Sequence, residues 1–139
     1  MRWAPVLLAV AVAGVSACGS GKSDLAIRAY SEHYAFRISS DPVPPMAREK
    51  ARYKIVVNDK ESGQPISGGE GLIYAQTRDG VRTWDSFTAA PELGTYVANL
   101  SFLVAADWAM GLRFRRDSTS KLEQVDWMQQ VVADTAKNP

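Results

Sequence analysis

The chain has 139 residues, 46% of them hydrophobic and 22% charged, which is the composition of one folded domain and excludes a disordered or collagen-like chain. Its 16 Lys and Arg nearly balance 15 Asp and Glu, and the basic residues form no long run, which argues against a nucleic-acid partner. A chain of this length buries roughly two-thirds of its unfolded surface, so a hydrophobic core is within reach without disulfide staples.

The first residues read as a targeting segment. Met1-Arg2-Trp3 is a short positive n-region and APVLLAVAVAG, residues 4–14, an apolar h-region. As a helix, that stretch would span about 16 Å, half of a bilayer core, so it is too short for a membrane span. Val15-Ser16-Ala17-Cys18 follows and resembles the lipobox of bacterial lipoproteins. The resemblance implies cleavage after residue 17, diacylation of the Cys18 sulfur and Cys18 as the mature N-terminus. Cys18 is the single cysteine of the chain, so an exported product would otherwise carry a lone thiol in an oxidising compartment. Gly19-Ser20-Gly21-Lys22-Ser23 opens a polar tether, expected over residues 18–29. Two or three acyl chains suffice for stable anchoring. Gly19 follows the lipobox cysteine in place of the Asp that would resemble an inner-membrane retention signal, which points to a periplasm-facing outer-membrane position in a cell with two membranes.

The domain is expected over residues 30–134, with 135–139 as a tail. Tyr34, Phe36 and Ile38 alternate with polar or small residues as in a half-buried strand. The proline-rich stretch 39–45 reads as an inter-strand loop in preference to a polyproline ligand. Ala51, Tyr53, Ile55 and Val57 define a second strand, ending in NDKESG, residues 58–63. A third surrounds Leu72-Ile73-Tyr74 and closes at Arg78-Asp79-Gly80, a hairpin signal, and a short run over residues 81–87 holds Trp84. Tyr96, Ala98, Leu100 and Phe102 share one face of the next strand. After a turn expected at residues 105–107, Trp108, Met110, Leu112 and Phe114 repeat the alternation. Residues 121–134 fit two readings. Leu122, Val125, Met128 and Val132 form a loose helical stripe behind a Ser120–Glu123 capping box, whereas Val125, Trp127, Gln129 and Val131 form a strand face. The strand is preferred because it completes a sheet edge. About seven short strands at this spacing predict an all-β, immunoglobulin-like antiparallel β-sandwich.

The stretches SGQPISGG (62–69), PELGTYVANLSF (91–102) and ADWAMGLRFRRD (106–117) resemble the YtkA-like and FixH-like group of exported β-sandwich domains. The matching positions are Gly63, Pro65 and Ile66, then Gly94 and Tyr96, then Asp107 and Trp108. The resemblance implies the sandwich fold and, through copper-handling relatives, a copper carrier or a factor assisting assembly of a copper-containing oxidase. A copper site would need Met and His clustered near residues 74–87, since soft thioether and imidazole donors select that metal, and none stand there. The sole histidine, His33, and Met46 are weak candidate ligands, and Met110 reads as core. No cofactor is expected.

Nothing in the sequence assembles a catalytic triad, a nucleophile elbow or a phosphate loop, so a binding protein is expected in place of an enzyme. Asp85, Asp107 and Asp126 each adjoin a tryptophan and read as turn or strand-edge residues. The candidate partner-binding residues are Arg78, Arg82 and Trp84 on one hairpin, and Arg113 and Arg115, with Arg116, on an outward strand face. Arg and Trp are enriched where binding energy concentrates at interfaces. The expected role is a lipid-anchored envelope protein that recognises a protein partner.

Overall fold

The periodicity of two that runs through the sequence is realised throughout the structure, a computed structural model that describes residues 25–134. The signal segment, Cys18, most of the tether and the tail lie outside the described residues. Nine strands and no helix occur among the described residues: β1 (Ile27–Tyr30), β2 (Tyr34–Asp41), β3 (Lys50–Asp59), β4 (Glu70–Gln76), β5 (Arg82–Ser86), β6 (Thr88–Ala89), β7 (Thr95–Ser101), β8 (Ala106–Arg115) and β9 (Glu123–Val131). They form a five-stranded sheet in the order β1-β2-β3-β7-β6 and a four-stranded sheet in the order β5-β4-β8-β9. Every strand pairing is antiparallel. Strands β2-β3-β7-β6 facing β4-β8-β9 reproduce the arrangement of an immunoglobulin constant-type domain, with β1 and β5 added at opposite edges.

The seven strands read from the sequence are all present. The two unforeseen ones have weak local signals: β6 has only two residues, and β1 half-buries Ile27 and Ala29. Strand β1 also corrects the tether boundary. Ile27 pairs with Ile38 and Tyr30 with Ala35, so the fold begins inside the segment assigned to the tether and ahead of the expected start at Tyr30.

The inner faces carry the foreseen residues. Phe36, Ile38, Tyr53, Ile55, Val57, Tyr96 and Leu100 pack from one sheet against Ile73, Trp108, Met110, Leu112 and Phe114 from the other, all buried. Phe114 sits at the centre of an aromatic cluster, 5.0 Å from Tyr34 and 5.5 Å from Tyr96 between ring centroids. Edge-to-face rings of this kind add about 1 kcal/mol per pair beyond their buried area. The Tyr96 hydroxyl donates to Ile66 O at 2.6 Å and accepts from Gly69 N at 2.9 Å, pinning the β3–β4 connection over the open end of the core.

Residues 121–134 resolve in favour of the strand. Val125 and Val131 are buried, while Leu122 and Met128 of the alternative helical stripe are exposed, a split that only an alternating backbone produces. The turn before β8 falls at residues 103–105, not 105–107, because the Trp108 indole N–H reaches back to Val104 O at 3.1 Å. Of the proline-rich stretch, residues 39–41 continue β2 and pair with β3, and only residues 42–45 form the expected loop, which is stitched to the far sheet: Val132 N donates to Pro45 O and Ala47 N to Val132 O.

Candidate functional site

Strand alternation sends every second residue of the four-stranded sheet away from the core, and register then decides which of them are neighbours. One row across the outer face holds Trp84, Tyr74, Gly111 and Asp126. The row on one side holds Arg82, Gln76, Ala109 and Met128, and the row on the other Ser86, Leu72, Arg113 and Gln124. The middle of β8 therefore contributes two of the smallest side chains, Ala109 and Gly111, beneath larger ones from its neighbours.

Gly111 is glycine for a steric reason. A Cβ there would collide with the Tyr74 ring, which lies across the backbone of β8. Two further contacts hold the ring. Gln124 Nε2 donates to its hydroxyl at 2.9 Å, and the Arg113 guanidinium carbon lies 5.4 Å from its centroid. Gln124 Oε1 in turn accepts from Arg113 Nε at 3.0 Å, and Gln124 Nε2 also reaches Asp126 Oδ1 at 2.8 Å. One glutamine thus positions both an aromatic ring and a guanidinium.

The face is hollowed on both sides of Tyr74. A hollow of about 340 Å³ is lined by Leu72, Tyr74, Arg82, Trp84 and Arg113, with no carboxylate in its wall. A second, of about 400 Å³, runs between Tyr74, Ala109, Asp126 and Met128. A third, of about 600 Å³, extends to the hairpin tip at Arg78 and Asp79. Trp84 is 67% exposed and Met128 65%, large apolar surface for two side chains of one sheet face. A surface that combines exposed aromatic area with guanidinium groups has the chemistry of an interaction site.

Of the residues singled out from sequence, Arg82, Trp84 and Arg113 meet at one hollow, and Arg78 borders the neighbouring one. Arg115 does not join them. Its guanidinium is ion-paired with Glu70 Oε2 at 2.8 Å, at the far end of β8. Arg116 lies past the end of β8 and turns to Asp59 Oδ2 at 2.6 Å, over the Tyr34 ring. The interaction holds Asp59 down at about 2, together with the Ser62 amide as the larger influence.

His33 and Met46 do not converge. They stand beyond opposite ends of β2, roughly 25 Å of extended chain apart. The His33 ring Nδ1 is engaged with Glu123 Oε2 at 2.8 Å, and its amide donates to Glu123 Oε1 at 2.8 Å. Among the described residues no group of three or more His, Cys, Asp or Glu side chains is placed to hold a metal ion. The Asp–Trp neighbours also separate: Asp85 accepts the Asn99 amide at 2.8 Å across to β7, whereas Asp126 meets Gln124 on the outer face.

Tyr74, Gln124, Met128 and Gly111 complete the site and were not singled out from sequence. Gly111 carried the signal that was available, since a glycine inside an alternating strand marks close approach of another group.

The chain matches no protein-family model, and no curated protein matches it. Solved structures that share the fold include the following two. A DUF4426 family protein from Pseudomonas aeruginosa PAO1 superposes with a TM-score of 0.61 at 10% identity, covering 78% of this chain and 96% of that one. FetP of uropathogenic E. coli strain F11, a protein expressed recombinantly in the periplasm, superposes with a TM-score of 0.55 at 11% identity, covering 76% of this chain and 93% of that one. Both extend over nearly their whole length, so the sandwich is a recurring all-β unit. At such identities the likeness concerns fold alone.

Proposed function

We propose that the chain is an exported, lipid-anchored accessory domain of the cell envelope. It works by binding, not by catalysis, through the outer face of its four-stranded sheet. The observation that carries this reading is the hollow beside Trp84. Two guanidinium groups, from Arg82 and Arg113, flank two aromatic rings with no acidic residue in the wall. Such a site takes a protein segment that presents carboxylates on either side of an apolar side chain. The carboxylates meet the guanidinium donors, and the apolar group lies on Trp84 and Tyr74. Gln124 fixes Tyr74 and Arg113 beforehand, which lowers the entropic cost of association.

Export and anchoring rest on the n-region, h-region and lipobox ending at Cys18, and a fold shared with a protein expressed in the periplasm is consistent with them. Kinship with the YtkA-like and FixH-like group is supported by the turn positions. Gly94 has φ +69°, and Pro65 packs against it so closely that a side chain would clash. The copper-carrier reading of that group draws no support from His33 and Met46, which lie apart.

The test is site-specific photo-crosslinking in intact cells. A photoreactive residue at Gln76, which stands on the outer row beside Arg82 and borders the hollow, should capture a protein neighbour, and the pair Arg82→Glu and Arg113→Glu should abolish that capture. The same probe at Lys54, on the outer face of the other sheet, should capture none. Equal capture at both positions, or capture indifferent to charge reversal, refutes the reading.

A further inference from the structure

Strand β9 is the last strand of its sheet, and its register with β8 runs unbroken from Glu123 opposite Phe114 to Val131 opposite Ala106. In an antiparallel pair, successive residues direct their backbone N–H and C=O groups to opposite sides. Val132, continuing β9, donates to Pro45 O at 3.0 Å and accepts from Ala47 N at 2.8 Å, so its groups point away from β8. By the same alternation Gln124, Asp126, Met128 and Gln130 direct theirs away from β8 as well, toward the sheet edge. Residues 45–47 cover that edge only beyond Val131, and His33 closes on the Glu123 side chain at the other end. Between them, no strand of the described residues pairs with it. Edges are normally blunted by Pro, Lys or a bulge. The stretch QVDWMQQ, residues 124–130, contains none of these and has Asp126 as its one charge.

We infer that this edge pairs with the same edge of a second copy of the chain, antiparallel about Trp127, joining two four-stranded sheets into one. The outer faces of both copies stay on the same side only if outward residues oppose outward residues. A two-fold axis at Asp126 would set that carboxylate directly against its own copy, which is unfavourable. An axis at Met128 would require Gln124 to pair with Val132, whose groups are already bonded to Pro45 and Ala47. An axis at Trp127 uses all four free residues. Gln124 faces Gln130 and Asp126 faces Met128, and each such pair exchanges two backbone hydrogen bonds. The two Asp126 carboxylates are then diagonal neighbours in solvent, where their repulsion is weak. Self-complementarity of this kind is what a two-fold interface demands, and it favours a second copy over an unrelated strand. Met128, 65% exposed, gains a covering neighbour. The hollow beside Trp84 lies toward the opposite edge and stays open, so the inference stands independently of the binding role proposed above.

Sedimentation equilibrium on the mature chain from residue 18, carrying Cys18→Ser, tests this up to about 1 mM. A monomer–dimer equilibrium is expected. Met128→Pro removes one edge N–H without touching the β8 ladder, a substitution that edge strands tolerate. Met128→Asp places a carboxylate opposite Asp126 at an exposed position. Each should leave the melting temperature nearly unchanged and raise the dimer dissociation constant about tenfold or more. Mixing Asp126→Cys with Met128→Cys chains should give mixed disulfide dimers faster than either chain alone, because hydrogen-bonded pairs stand at bridging distance. A chain that remains monomeric, a dimer indifferent to both Met128 variants, or equal rates of self- and cross-linking would overturn the inference.

Discussion

Replacing Glu123 with Ala tests a buried carboxylate that ties the β1–β2 turn to β9. Its side chain is 6% exposed, and it receives the His33 amide on one oxygen and the His33 ring on the other, each at 2.8 Å. A hydrogen bond to a charged group contributes about 1.5–3 kcal/mol, and the lower end applies because His33 is largely exposed. Allowing about 1.5 kcal/mol for the amide and about 1 kcal/mol for the ring gives a loss near 2.5 kcal/mol. For a domain of this size that lowers Tm by about 10 °C. The pH dependence provides a second reading of the same bond. Burial pushes the Glu123 carboxyl up, but the Ser31 hydroxyl and the amide and ring of His33 together outweigh it, holding it below the ordinary 4.5. A carboxyl lowered in the folded state contributes stability above its unfolded value and loses it as pH falls through its folded one. The difference in unfolding free energy between wild type and Glu123→Ala should therefore be full near pH 7 and shrink toward about pH 3. Asp59 and Asp117, both lowered to about 2, titrate in both proteins and cancel in that difference. Urea titrations at the two pH values measure it. A loss below about 0.5 kcal/mol at neutral pH, or a difference independent of pH, refutes the argument.

Other outcomes follow from the same contacts. Trp84→Ala should leave Tm within experimental error, because the side chain is 67% exposed, yet reduce crosslinking through Gln76 severalfold. Gly111→Val should force Tyr74 off the sheet and release Gln124 and Arg113. Tyrosine fluorescence and side-chain NMR would register the change, and crosslinking through Gln76 should fall while the inner core signals persist. Tyr96→Phe leaves the Ile66 carbonyl and the Gly69 amide without their shared partner and should cost about 1–3 kcal/mol in chemical unfolding. Cys18→Ala should abolish incorporation of a fatty-acid analogue into the chain in cells; retained label would refute lipidation at this residue.

On the outer face of the four-stranded sheet, residue type alone does not decide which side chains are available. Arg82, Trp84 and Arg113 stood out by residue type, and three strands bring them together. Arg115 has the same type and the same outward direction as Arg113, but Glu70 neutralises it across the sheet. Which arginine is paired depends on the β4–β8 register, and that register follows from how two distant segments fit. Tyr74 illustrates the reverse. Its alternation marked it as one more strand residue, and only the glycine opposite it on β8 makes it the floor of a site.

The alternation of apolar side chains in seven segments, with Asp-Gly and Gly turns between them, was sufficient to define an antiparallel sandwich. It also named most of the buried core, because burial on one face of a strand is a local property with a period of two. The order of the strands, the exposed Trp84 and Met128, the commitment of His33 to Glu123 and the open edge of β9 belong to the tertiary structure. Each depends on residues far apart in the chain meeting across sheets, where pairing and charge neutralisation are settled by packing and not by local pattern.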